Sequence, residues 1–457
     1  MLHLQEPSNE RRKMKRLLLI IVAILAVGSL VRVTQGSRGV EGRRIDSYVS
    51  APASPAGCQR IPSGAALDEA LDAAPKGAVL CLDPGSYAGP VHVKHSLTLW
   101  GPRSAVIRST GTGTTIEVAS NDVRLAGFTV RGSGDRFDRN DSAVRIHGAN
   151  VSVEDLYIVG ALFGLTAEES HGITFRQNEI SGDPARPLGL RGDAIRLWET
   201  TDARVEGNII THGRDTLIWY STRVQVLDNL ITDSRYGTHF MYSKEAIVKG
   251  NRYLRNLVGI FLMYSQGLTA ENNVIQDSNQ PDGMGFGNKD SVGLSCRNNL
   301  ILRNTVGAYI DVSPARSNDA NRFDRNIFAL NGTAVVFHSS ERNTTFMDNS
   351  FRDNQSLVAV EGGGDAMAVT WRGNYFDDYQ GYDLNHDGRG DVPYELRSLS
   401  NELTNTYPEL KFFHGTPALA MLDVVGHIFP LIQPKLILSD PSPRMTPPRI
   451  EVAESAN

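Results

Sequence analysis

Between about residues 75 and 380, apolar positions fall in short runs that alternate with polar ones, and each run is broken by Asn or Gly. Aligned on asparagine, the runs read FRQNEI, VEGNII, VLDNLI, VKGNRY, AENNVI, CRNNLI, FDRNIF, FMDNSF and WRGNYF, centred on Asn178, Asn208, Asn229, Asn251, Asn273, Asn299, Asn326, Asn349 and Asn374. Two residues after each asparagine stands an apolar residue, from Ile180 to Phe376, and three before it another, from Phe175 to Trp371. Short alternating runs rich in β-branched residues are strands, and the Asn and Gly between them mark tight turns. A repeat recurring every 20 to 50 residues or so marks a solenoid. Stacked coils bury the apolar columns in one interior and set each asparagine over the next, where its amide can bond its neighbours and its backbone tolerates the left-handed region. The pattern predicts an all-β chain, a right-handed parallel β-helix of about a dozen coils over 75–380, followed at 381–457 by a turn-rich cap, a helix and a tail. A leucine-rich repeat shares the period but needs a leucine framework, which is missing here.

Alternation also places an outward column four residues beyond the glycine that opens each second strand. It reads His147, Glu168, Trp198, Trp219, Met241, Met263, Lys289, Asp311, His338 and Glu361. Met241 and Met263 thus fall on adjacent rungs, roughly 4.8 Å apart, with His239 pointing the same way two residues earlier. One reading is packing, because methionine on a strand usually fills space beneath a partner or loop. The other is a soft site for Cu(I), which prefers thioether and imidazole donors and would be held without thiolate and released again. Met284, in GMGFGN on the next coil, is an outer candidate whose register is displaced.

Charge and composition narrow the function. The chain has 457 residues and a net charge of -5, which excludes nucleic-acid binding through a basic surface. RRKMKR followed by LLLIIVAILAVGSLV reads as the start of an exported protein, with 1–31 a signal peptide or a signal anchor and 32–74 a linker and N-terminal cap. Cys58 and Cys81 are candidates for a disulfide in such a chain, and Cys296 falls in a core column. DLNHDGRGD places Asp383, Asn385, Asp387 and Asp391 at calcium-loop spacing, but Tyr394 stands where the bidentate Glu belongs, so an Asx-rich turn competes with a calcium site. GTPALAMLDVVGHIFP predicts a short helix, apolar nearly all round and too short to span a bilayer, which would dock on a partner or cap the solenoid.

RDTLIWYS, SRYGTHFMYS, VGIFLMYS, NKDS and GNYFDDYQGYDLNHDGRGDVPYELR, in this order, resemble the NosD family, exported β-helix proteins of nitrous oxide reductase maturation. The resemblance implies a periplasmic accessory factor, membrane-associated through a partner or an N-terminal anchor, that works with an ABC transporter permease and a copper chaperone to deliver copper to the reductase. Two other classes compete. Exported β-helices also host polysaccharide lyases, epimerases and hydrolases, for which Arg196, Lys289, Tyr309 and Asp311 line one face, and others are structural or adhesive solenoids.

Overall fold

A computed structural model describes residues 53–448, apart from 317, 339–341, 362–363, 399–402 and most of 404–433. The leader at 1–31 and the short helix expected at 417–429 lie outside the described residues. Among the described residues no helix is long and apolar enough to cross a membrane.

The chain winds as a parallel β-helix. Three sheets, of fourteen, thirteen and twelve strands, run along it, and each strand pairs in parallel with its counterparts one coil before and after. Phe175, Val205, Val226, Val248, Ala270, Cys296, Phe323, Phe346 and Trp371 are consecutive partners in the fourteen-stranded sheet. Ile180, Ile210, Ile231, Tyr253, Ile275, Ile301, Phe328, Phe351 and Phe376 are consecutive partners in the thirteen-stranded sheet. Both columns are buried and form one continuous core.

The asparagines form a ladder at the corner between these two sheets. Each Nδ2 donates to the Oδ1 of the next, at 2.9 to 3.1 Å from Asn178 to Asn374. The left-handed backbone expected of the asparagine belongs instead to the residue before it, at Gln177, Asp228, Asn272, Asn298, Arg325 and Asp348, or to a glycine, as at Gly207, Gly250 and Gly373. The reason is steric: the residue before turns the corner, so the asparagine keeps ordinary backbone and aims its amide inward. A second ladder of Ser221, Ser243, Ser265, Ser291 and Ser313 runs up another corner, each Oγ accepting the backbone N–H of the serine one coil earlier.

Both ends are closed. The first strand lies at Gln59–Ile61, upstream of the boundary expected near 75, and pairs with Ala78–Leu82. Its three residues are too short to show a period, and a Cys58–Cys81 disulfide ties it down. The helix Leu67–Ala73 then buries Leu67 and Leu71 against the core. At the far end the antiparallel pair Tyr394–Arg397 and Leu436–Asp440 follows. There Asp440 takes the place of a tenth asparagine: its carboxylate accepts the N–H groups of Gly373 and Asn374 at 3.0 and 2.9 Å and Asn374 Nδ2 at 2.9 Å. Tyr394 stacks on Phe376 at 3.9 Å, ending the aromatic column.

Candidate functional site

The outward face of the twelve-stranded sheet carries the candidate residues. Along Tyr236–Met241, Thr238 and Phe240 turn into the core, so His239 and Met241 face out; along Val258–Met263, Ile260 and Leu262 turn in and Phe261 and Met263 face out. The register sets Glu168, Trp198, Trp219, Met241, Met263, Lys289 and Asp311 on successive rungs. Each part of the repeated Met-Tyr-Ser then has its own place. Met241 and Met263 stand half-buried in the outward column. Tyr220, Tyr242 and Tyr264, all in the left-handed region, stack outside at 5.0 and 4.8 Å, and the serines bond within the corner.

His239 is buried, with both ring nitrogens engaged. Nδ1 lies 3.4 Å from Asp215 Oδ2 and Nε2 lies 3.3 Å from Met263 Sδ. The anion places a ring proton on Nδ1, which donates to Asp215, so Nε2 is the nitrogen that faces sulfur, and in the neutral ring it presents a lone pair. Two lone-pair donors, one nitrogen and one thioether, then face each other at the separation of neighbouring ligands on a metal whose bonds are about 2.0 to 2.3 Å long. A carboxylate behind a ligating imidazole is a common way to orient it and strengthen its basicity. Asp215 is itself buried and also accepts two bonds from Arg235. Burial pushes its carboxyl up, but the bonds from His239 and Arg235 outweigh that and hold it below the usual carboxylate range. The ring of Tyr236 meets His239 edge-on at 4.7 Å, and Phe261 stacks along it at 5.9 Å. Phe261 lies over Gly287, where an added Cβ would come within 2.2 Å of the ring, so this glycine leaves the room the aromatic needs.

Met284 does not join them. It opens its strand, paired with Val258, whereas the partner of Met263 is Lys289 at the strand's other end. Its place at the opening of the strand puts roughly a strand's length between the two sulfurs. Asp215 and Tyr236 are the residues that alternation alone does not reveal. A register shift between Asp215 and Leu217 brings Asp215 opposite Tyr236, and only the histidine two positions past the glycine in YGTH hints that a partner is needed.

Among the described residues no group of three or more His, Cys, Asp and Glu side chains converges to hold a metal ion. In the calcium-like loop, the side-chain oxygens of Asp383, Asn385, Asp387 and Asp391 accept backbone N–H bonds from the loop itself, as an Asx-rich turn requires. The four residues of the carbohydrate-enzyme reading are spread out. Arg196 bonds Asp193 and lies over Trp219 at 5.4 Å, Lys289 pairs with Asp311 at 2.7 Å, and Tyr309 is five rungs from Arg196, roughly 24 Å at 4.8 Å per rung.

Residues 176–381, which contain the whole His239, Met241 and Met263 cluster, match the family model described as periplasmic copper-binding protein (NosD). A protein of Stutzerimonas stutzeri named probable ABC transporter binding protein NosD is 27% identical over 382 residues, 77% of this chain and 83% of its own. Its namesake in Pseudomonas aeruginosa is 27% identical over 77% of this chain and 85% of its own. These relatives are named for binding a transporter and not for an enzymatic activity. Solved structures share the fold alone: the A-module of the Azotobacter vinelandii mannuronan C-5 epimerase AlgE6 superposes with a TM-score of 0.51 at 13% identity, covering 69% of this chain and 95% of that one. The catalytic unit of a Streptomyces thermodiastaticus α-1,3-glucanase gives 0.50 at 17% identity, covering 72% and 65%. The unbroken repeat, the Met-Tyr-Ser rungs and the relatives in sequence converge on one likeness: this chain is similar to the NosD proteins.

Proposed function

We propose that this chain is an accessory maturation factor for a copper enzyme, nitrous oxide reductase, and that it receives Cu(I) outside the cytoplasm and passes it on. The observation that carries the reading is the facing pair of His239 Nε2 and Met263 Sδ at 3.3 Å, with Met241 on the adjacent rung. Imidazole and thioethers are neutral, soft donors: they hold Cu(I) without the thiolate that would retain it, which suits cargo more than a resident cofactor. Asp215 accepts from Nδ1 and so keeps Nε2 aimed at sulfur, and ligand orientation precedes the arrival of the ion. Half-burial of both methionines leaves one side of the pair open for transfer.

In this reading a copper chaperone supplies the ion, the ABC transporter permease holds the chain at the membrane, and the segment 415–457 or the N-terminal apolar run provides the attachment. The name of the relatives supports a transporter partner. The test is complementation. In a denitrifying host lacking its own NosD, the wild-type chain should restore copper-loaded reductase and the Met241→Leu, Met263→Leu variant should not. Full copper content with the variant would overturn the reading. Removing 415–457 should abolish co-purification with the permease, and undiminished co-purification would reject that segment as the attachment.

A further inference from the structure

The same outward column ends in residues of a different chemical character. Three and four rungs beyond Met263, past Lys289 and Asp311, stand His338 and Glu361, with Tyr309 reaching towards them from the neighbouring column. Three atoms meet there: Tyr309 Oη lies 3.3 Å from His338 Nδ1 and 3.3 Å from Glu361 Oε2, and His338 Nδ1 lies 3.2 Å from Glu361 Oε2. A hydrogen-bonded explanation falls short by one proton. The phenol and the Nδ1–H supply two hydrogens, both of which the carboxylate accepts, and the Tyr309 to His338 edge is left without one.

The triangle fits something else. The centre of a regular tetrahedron lies about 0.61 edge lengths from each corner, so edges of 3.2 to 3.3 Å leave a point about 2.0 Å from all three atoms, the length of a Zn–N or Zn–O bond. We propose that Tyr309, His338 and Glu361 form a second metal site, with three protein ligands and one open position, for a divalent ion of the Zn(II) and Cu(II) class. Phenolate, imidazole and carboxylate suit that class and not Cu(I). Charge agrees: phenolate and carboxylate neutralise a dication, while Asp311 close by is already paired with Lys289 at 2.7 Å. The imidazole is exposed and the carboxylate half-buried, which leaves the ion a side from which to enter and exchange.

The site is independent of the methionine pair, and the experiment separates them. Full-length protein is titrated with Cu(II) alone and followed by electron paramagnetic resonance and by the phenolate-to-copper charge-transfer absorption, then with Zn(II) as competitor. Wild type should take up one equivalent with both signals, and Zn(II) should displace it only in large excess, since Cu(II) binds a given N/O site more tightly. Tyr309→Phe should lose the charge-transfer band, and His338→Ala with Glu361→Gln should weaken uptake at least about tenfold, the scale on which losing even an outer partner is felt. Met241→Leu with Met263→Leu should change neither signal. All three ligands lie on the outer face, so thermal melting should stay near wild type and report that the variants fold. Unchanged Cu(II) uptake in the folded His338→Ala, Glu361→Gln variant, or a charge-transfer band that survives Tyr309→Phe, would overturn the site.

Discussion

The asparagine ladder inside the solenoid and the outward column of the twelve-stranded sheet are built on the same coils at the same spacing. Inside, one residue recurs from Asn178 to Asn374, because each amide must be both donor to the next rung and acceptor from the last. Outside, the residue changes at four of the six steps from Glu168 through Trp198 and Trp219 to Met241, Met263, Lys289 and Asp311. Stacking demands identity only where a buried polar group has no water to fall back on. An outward residue that does recur, such as methionine, is therefore not explained by the fold, and that is where function is to be sought.

The comparison breaks first on the inside. Asn273→Ala strands the backbone N–H and Nδ2 of Asn251 and the Val248 carbonyl in the interior, at about 1 to 3 kcal/mol for each unpaired group, so urea unfolding should show a loss on the order of 3 to 5 kcal/mol. A loss under about 1 kcal/mol would mean that the ladder is not what holds the corner. Asp440→Ala removes the acceptor of three buried donors at the end of the ladder, where only the last rung rests on it, and should cost about 2 to 3 kcal/mol in the same assay.

Asp215 joins the two regions, since it is buried but serves the outer face. Its folded-state pKa lies below the unfolded value near 3.9, so its contribution is complete above about pH 4 and is lost as pH falls through the depressed value. Asp215→Asn should be less stable than wild type by about 1 to 2 kcal/mol at pH 7, the difference closing below about pH 4. A gap that instead widened in acid would show that the carboxyl is not held ionised by Arg235 and His239. The smallest effect belongs outside. Met241→Leu with Met263→Leu conserves volume and apolarity on a half-buried face and should cost less than about 1.5 kcal/mol.

This division also explains what could be seen in the amino-acid sequence. Columns such as Phe175 to Trp371 are legible because a solenoid converts period into contact, and the facing of Met241 and Met263 follows from strand parity. Asp215 is not legible, because a one-residue shift in register beside it sets it opposite Tyr236 and within reach of His239. Asp440 is not legible either, for it caps Asn374 from 66 residues away through a strand that belongs to no repeat. Tyr309, His338 and Glu361 lie on the expected face, but only side-chain reach across two columns brings them together.

Whether the repeated methionine is a metal ligand or mere surface is decided most directly by Cu(I) competition. Purified wild-type protein and the folded Met241→Leu, Met263→Leu variant are titrated against a bathocuproine-type chelator at neutral pH. The wild type should withdraw one equivalent of Cu(I) from the chelator, and the variant, with the same unfolding midpoint to within a few degrees, should bind at least about tenfold more weakly, as loss of thioether ligands demands. Equal Cu(I) affinity in the two proteins would contradict the site and leave Met241 and Met263 as packing.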